Sequence, residues 1–414
     1  MAVLAIVHSY PYDAFFGGDG AYVQAFGQYL LRTGHEVHGL VSDMTRGRRN
    51  PIGRSVYEIE KYSSWQVRNS LRLNRRTFLA AEQLGPANLA GLLLGKRAAP
   101  AAGMTEQDFP AAEIRWVEER IEALGPDAVI LFHDAVHFAP FLARNGHRIF
   151  SLVGHLKQRH GTSHRKPQRR ADETAAGETG LVRSLKAADC VGLNSMDDVS
   201  YAHDRLGIKR VISLGMGYGA YRKQSDSDEP VVLFVGNATT PNHAALSWFL
   251  SEVWPSVRTA CPTARFRAVG TAALAPEIAS VDGFERVGPL PDLAPEYRRA
   301  RLVVAPLVSG SAGVKVKVAE AMSYGRPLVT TSIGVDAGDA NQLDEGAIVA
   351  DGAADFARAV IALLSDADLR RRKSEGTARV FAELFSCDAC YGPFLSWLGK
   401  DSRAAADRPS PALA

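Results

Sequence analysis

Along most of the chain, short runs of apolar and β-branched residues alternate with longer segments whose apolar positions recur at helical spacing. This alternation predicts parallel sheets with helices on both faces. In the first half the predicted strands are Val3–Ser9, Glu36–Ser42, Asp127–His133, Arg148–Val153, Cys190–Ser195 and Val211–Leu214. In the second half they are Val231–Gly236, Ala264–Val269, Phe284–Val287, Leu302–Leu307, Pro327–Thr331 and Ala347–Ala350. Each half can close its own doubly wound sheet, so the expected class is α/β, with two Rossmann-like doubly wound parallel-sheet domains facing a cleft. In open sheets of this kind ligands bind at the carboxyl ends of the strands.

Three stretches interrupt the rhythm. Residues 215–230 hold Gly215, Gly217 and Gly219 and then a polar run from Gln224 to Glu229, the composition of a linker. It sets the expected boundary near residue 220, with an N-terminal domain over 1–220 and a C-terminal domain over 221–400. Residues 46–110, basic at Arg46, Arg48, Arg49, Arg68, Arg72, Arg75 and Arg76, read as a mostly helical insertion. Residues 157–170 form a second basic stretch, expected to be a strand-free loop, and the Ala- and Pro-rich tail over 401–414 is expected to be disordered.

Composition narrows the function classes. The 414 residues are 22% charged and 46% apolar by type, values of a globular chain long enough for two cores. A net charge of +3 gives no general reason to expect nucleic acid as a partner. The apolar run at Met1–Val7 is too short for a signal peptide and has no basic start, and no stretch approaches the ~20 apolar residues of a membrane span. A cytoplasmic location is therefore expected. Four cysteines are too few for a disulfide framework, and the lone pair Cys387 and Cys390 lacks the further ligands of a zinc site.

The segment from Val304 to Gly338 concentrates the candidate chemistry. An apolar strand leads to a loop of small residues, Ser309-Gly310-Ser311-Ala312-Gly313, and a helix is predicted over Val314–Tyr324, ending at Gly325. Loops this small let backbone N–H groups approach a ligand, and the helix start behind them attracts anions. Gly313, Lys317 and Glu320 fall at i, i+4 and i+7 on one face, beside an apolar face of Val314, Val318 and Ala321. Lys315 and Lys317 stand in the first turn, where the helix dipole disfavours cations. A strongly anionic ligand such as a diphosphate in front of them accounts for that placement. The plain alternative is a surface ion pair between Lys317 and Glu320.

The run Pro306-Leu307, then Gly310 through Thr331, resembles the donor-binding signature of group 1 glycosyltransferases, the retaining family 4 of the GT-B fold. Gly17-Gly18, Gly34-His35-Glu36-Val37, Ala188-Asp189 with Ser195, and Phe234-Val235-Gly236-Asn237 support the likeness. The resemblance implies transfer of a sugar from a nucleotide-diphosphate sugar. Glu320 would hold the donor ribose hydroxyls, a task suited to a carboxylate that accepts two hydrogen bonds. Lys315 and Lys317 would neutralise the diphosphate, with Gly17, Gly18, Gly236, Asn237, Ser311 and Gly313 lining the donor. The sequence departs from the commoner pattern at Ala312, where many relatives carry a second glutamate.

His133 resembles the histidine that closes the equivalent strand in these enzymes, with His137 as a nearby competitor. His8 is the candidate base of an inverting GT-B enzyme. Counted along its strand, it could equally point into the core. A catalytically silent nucleotide-sugar-binding protein is the alternative from another class, and a dinucleotide oxidoreductase with Asp43 as ribose acid is a weaker one. Against it, seven residues separate Ser9 from Gly17 and Val23 takes the third glycine position.

No metal is expected. Asp226-Ser227-Asp228 lies in the linker and Asp366-Ala367-Asp368 reads as a helix start. The expected partners are a nucleotide-sugar donor and a small-molecule, lipid-linked or glycan acceptor, with no cofactor and no nucleic acid. The basic segments 46–76 and 157–170 add weak peripheral contact with a membrane's cytosolic face, against the plainer reading of a solvated arginine-rich surface.

Overall fold

The computed structural model describes residues 1–8, 18–42, 52–54, 62–72, 77–80, 109–154, 156, 180–309, 315–335 and 340–405. Its strands are β1 (Val3–His8), β2 (Glu36–Val41), β3 (Ile52–Arg54), β4 (Ser64–Val67), β5 (Ser70–Arg72), β6 (Thr77–Ala80), β7 (Ala128–Phe132) and β8 (Ile149–Val153). They continue as β9 (Cys190–Leu193), β10 (Val211–Ser213), β11 (Val231–Val235), β12 (Arg265–Val269), β13 (Phe284–Val287), β14 (Leu302–Ala305), β15 (Leu328–Thr330) and β16 (Ala347–Val349).

The chain divides into two compact units, each with its own parallel sheet. One comprises Met1–Leu193, Asp198–Leu214 and Gly392–Ala414, the other Asn194–Asp197 and Gly215–Tyr391. The first unit has a seven-stranded sheet in the order β10-β9-β8-β7-β1-β2-β4, and the second a six-stranded sheet ordered β13-β12-β11-β14-β15-β16. The central strands β1, β7, β8, β11 and β14 are buried nearly throughout, as expected of strands covered by helices on both faces.

The expectation of a helical insertion over 46–110 is not met by the described residues there before Phe109. They form β3 to β6, and β4 extends the main sheet by pairing in parallel with β2. The edge position suits Trp65 because Gly39, opposite it in register, has no side chain. A Cβ at Gly39 would lie 1.7 Å from the Trp65 ring. The rest of the insertion, including Arg46, Arg48, Arg49, Arg75 and Arg76, lies outside the described residues, as does 157–170.

Residues 215–230 lack regular structure, yet they are bound along their length to the second unit. Tyr218 N donates to Phe385 O at 2.7 Å, and Arg222 N donates to Ser323 O at 2.7 Å. Arg370 makes a two-pronged ion pair with Asp226, its Nη2 at 2.9 Å from Oδ2. Arg301 donates to the carbonyls of Ser227 and Asp228. The segment is a strap rather than a free linker.

The last helix, Cys387–Ala405, also departs from the expected boundaries, since it carries regular structure past residue 401 and returns the chain to the first unit from Gly392. Phe394 packs edge-on to Phe150 and Phe26, and Arg148 lies over the Trp397 ring while donating to the carbonyls of Trp397 and Leu398. Aromatic burial of this kind accounts for the return. Residues 406–414 lie outside the described residues.

Candidate active site

In the second unit, the turns after β11 and β12 approach each other at the carboxyl edge of the sheet. Gly270 takes φ of 105°, a region that favours glycine, and a Cβ there would lie 2.3 Å from Gly236 O. Gly236 O accepts from Ala272 N at 3.1 Å. Gly236 itself stands against Asn242, whose Nδ2 donates to Asn237 O at 2.8 Å. Asn237 is exposed at this edge.

The helix facing these turns spans Val316–Ser323 with Lys315 as its N-cap, and Val314, where the sequence predicts its start, lies outside the described residues. Ser311, Ala312 and Gly313 lie outside the described residues. The predicted end is observed: Gly325 N donates to Met322 O and Arg326 N to Ala321 O, both at 3.0 Å, with Gly325 at φ of 66°. This is a Schellman cap, for which glycine is the usual residue.

Lys317 and Glu320 do not pair with each other among the described residues. Lys317 Nζ donates to Asn242 Oδ1 and sits 4.6 Å from the centre of the Phe234 ring. Burial, and secondly the charge of Lys315, bring its pKa down to about 7. Glu320 Oε2 accepts from the Tyr297 hydroxyl at 2.9 Å. Burial raises its pKa to about 7 against the opposing effects of that hydrogen bond and of Arg222. The two groups are thus held apart by separate scaffolds, and a surface ion pair between them is excluded.

Sequence reasoning missed most of that scaffold. Asn242, Tyr297 and Arg222 have no motif spacing to mark them, and Phe234 and Tyr324, though within the resembling runs, carry no sign of these contacts. Tyr297 stacks on Tyr324 with centroids 4.3 Å apart and planes 3° apart, and Arg222 Nη1 donates to Tyr324 Oη at 2.6 Å. Tyr218 Oη donates to Val316 O at 3.2 Å, so the strap grips both ends of the Lys317 helix.

In the first unit, His8 and His133 lie near each other at the carboxyl edge, 1% and 3% exposed. His8 stacks on Phe132 at 5.3 Å and lies 5.9 Å from the Trp65 ring. Burial, then the neighbouring His133, lower its pKa to about 3. His133 follows β7 instead of closing it and opens the 3₁₀ turn His133–Phe138 with φ of 49°. A left-handed conformation in a residue with a Cβ is strained by about 1–3 kcal/mol, and such strain clusters at functional sites. Gly154 N donates to His133 Nδ1 at 3.4 Å. His137 Nδ1 meets Ser184 Oγ at 3.1 Å in the interior, a structural role. Gly18 begins the helix Gly18–Arg32, whereas Gly17 and Asp43 lie outside the described residues.

Among the described residues, no three His, Cys, Asp or Glu side chains gather as metal ligands, and no helix is long and apolar enough to cross a membrane.

Residues 229–366 match the family model described as glycosyl transferases group 1. No curated protein matches the chain. Among solved structures it is similar to sucrose-phosphate synthase from Thermosynechococcus elongatus, with 17% identity and a TM-score of 0.63 over 98% of this chain and 100% of that one. It is also similar to a TarM variant from S. aureus in complex with fondaparinux, alpha-GlcNAc-glycerol and UDP, with 10% identity and a TM-score of 0.66 over 97% and 100%. Anabaena HepE in complex with UDP-glucose matches at 11% identity and a TM-score of 0.61 over 96% and 99%. At these identities the structural likeness speaks for the fold, and the family match speaks for the second unit. The chain thus has the two-sheet α/β architecture of GT-B glycosyltransferase structures, and its residues 229–366 match the group 1 glycosyltransferase model.

Proposed function

We propose that the protein transfers a sugar from a nucleotide-diphosphate sugar to an acceptor hydroxyl, with retention of the anomeric configuration and without a metal. The observation that carries this reading is the pair Lys317 and Glu320, both partly buried at one sheet edge and supported by different partners. A desolvated ammonium with a pKa near 7 fits a site completed by an anion. Lys317 and Lys315 would take the diphosphate, and Glu320 the ribose hydroxyls. With the leaving group's charge met by two lysines and backbone donors, a bound cation is not required.

His133 suits contact with the donor better than His8 suits the role of base. A base needs a pKa near the working pH, and a histidine at about 3, sandwiched by aromatic rings, has little driving force to take a proton. Retention is what the group 1 resemblance implies, and the poor basicity of His8 is consistent with it. HepE is complexed with UDP-glucose and the TarM variant with UDP, so a uridine donor is the first to try here.

The test is turnover with a panel of UDP-, GDP-, ADP- and TDP-sugars in the presence of EDTA, with the product anomer read by NMR. Retention with one donor, undiminished by EDTA, is expected. His133→Ala should lower turnover by about 10²-fold or more, and His8→Ala by less. An inverted product with a dead His8→Ala variant would replace this mechanism by the inverting one. Tight donor binding without transfer or hydrolysis would favour a silent binding protein.

A further inference from the structure

Glu320 is supported from outside its own helix by an aromatic pair that no sequence signature marks. Tyr297 belongs to the short helix Ala294–Arg299, which packs beside the Glu320 helix and lies wholly within the interior at this residue. Its hydroxyl donates to Glu320 Oε2, while Oε1 accepts from none of the described residues. The ring is fixed face to face on Tyr324, and Tyr324 in turn accepts from Arg222. The backbone of Tyr297 is fixed as well. Buried Arg326 donates through Nε to Tyr297 O and through Nη2 to Arg298 O, both at 2.7 Å, satisfying carbonyls that the helix end leaves open.

This arrangement restricts the carboxylate. A glutamate side chain has three torsions and a large rotamer entropy to lose on ligand binding. With Oε2 already tied, the group's rotation is set before any ligand arrives, and Oε1 is left to accept. Preorganisation of this kind strengthens binding by removing an ordering cost.

We propose that Tyr297 is the positioning residue of the donor site, its hydroxyl orienting Glu320 so that the remaining carboxylate oxygen meets a ribose hydroxyl. The assignment rests on the donor reading above. Tyr297 itself does not touch the ligand. The described titratable and charged groups facing Glu320 are Tyr297 from its short helix, Tyr218 and Arg222 from the strap, and Tyr324 from the end of its own helix.

Two arms test the assignment with Tyr297→Phe, which keeps the ring and its stack. The first needs no ligand. A hydroxyl that donates to the carboxylate stabilises the charged form, so its loss should lower Tm by about 2–4 °C at pH 8.5 and by much less at pH 5. The same substitution on a Glu320→Gln background should show no such dependence on pH. Equal losses at both pH values would overturn the assignment.

The second arm measures dissociation constants for UDP, GDP, ADP and TDP, and for the 2′,3′-dideoxy form of whichever binds. Tyr297→Phe should weaken the ribose-bearing ligand by about tenfold and leave the dideoxy form within about twofold. Equal weakening of both would make Tyr297 a packing residue only. Failure of the wild type to bind any of the four diphosphates would instead overturn the donor reading, and the assignment with it.

Discussion

Two side chains of the second unit have their ordinary charge suppressed. Lys317 falls to about 7 and Glu320 rises to about 7, each chiefly through burial. The linked stability effects have opposite windows. Glu320 binds a proton in the folded state that it has released when unfolded, so its contribution falls as pH rises from its ordinary value of 4.5 to about 7. Lys317 is neutral when folded but protonated when unfolded between about 7 and 10.5, so its contribution rises across that range. Near neutrality both groups weigh against the ligand-free fold. Lys317→Met should therefore stabilise the empty protein below pH 7, and Glu320→Gln above it. Each gain should be on the order of 1–2 kcal/mol, after allowance for partial exposure. Denaturant midpoints at pH 6 and 8.5 check the expectation, and loss of stability in both variants at both pH values would contradict it.

A diphosphate changes this balance, because its charge favours the protonated lysine. Binding at pH 8 should take up a proton at Lys317, and affinity should fall as pH rises above 7. Calorimetry in buffers of different ionisation enthalpy reads the proton directly. A pH-independent affinity with no proton exchange would remove Lys317 from the phosphate.

At the level of elements, the Lys317–Glu320 helix and its glycine cap were legible because their signals are local: small residues before the start, apolar spacing within, Gly325 after the end. The observed start at Val316 was less legible, since Lys315 at the N-cap gives no capping signal of its own. The supports were not legible. Asn242 beneath Lys317 and Tyr297 beside Glu320 lie 75 and 23 residues away in sequence, and nothing in spacing links them. The strap was misread for the same reason, since its glycines and polar residues look like a linker until Arg370 and Arg301 are seen holding it. Gly270→Ala should lower stability by more than about 2 kcal/mol, because its Cβ would meet a backbone oxygen in a conformation alanine avoids. Urea unfolding measures it, and a loss below about 0.5 kcal/mol would show that the two turns can part.

On the scale of the whole molecule, the two-sheet α/β class was readable because every main-sheet strand but one falls on a short apolar or β-branched run between helical segments. The exception, β4, is a short, half-buried edge strand whose partner Gly39 makes room for Trp65, a relation between distant residues. The return of the C-terminal helix to the first unit was hidden likewise, since Phe394 and Trp397 look like any amphipathic helix face until Phe150 is found beneath them. Trp397→Ala should destabilise that unit by about 3 kcal/mol through lost aromatic burial and the lost stacking of Arg148 on the ring. A loss under about 1 kcal/mol in chemical denaturation would mean that the helix is only loosely held.

The most direct test of the donor assignment compares wild type and Lys317→Ala in calorimetric titrations with UDP, GDP, ADP, TDP and their nucleosides. The account predicts that one diphosphate binds the wild type and that the variant loses about tenfold or more of that affinity while its nucleoside affinity stays nearly unchanged. Equal losses for diphosphate and nucleoside, or no binding of any diphosphate to the wild type, would contradict it.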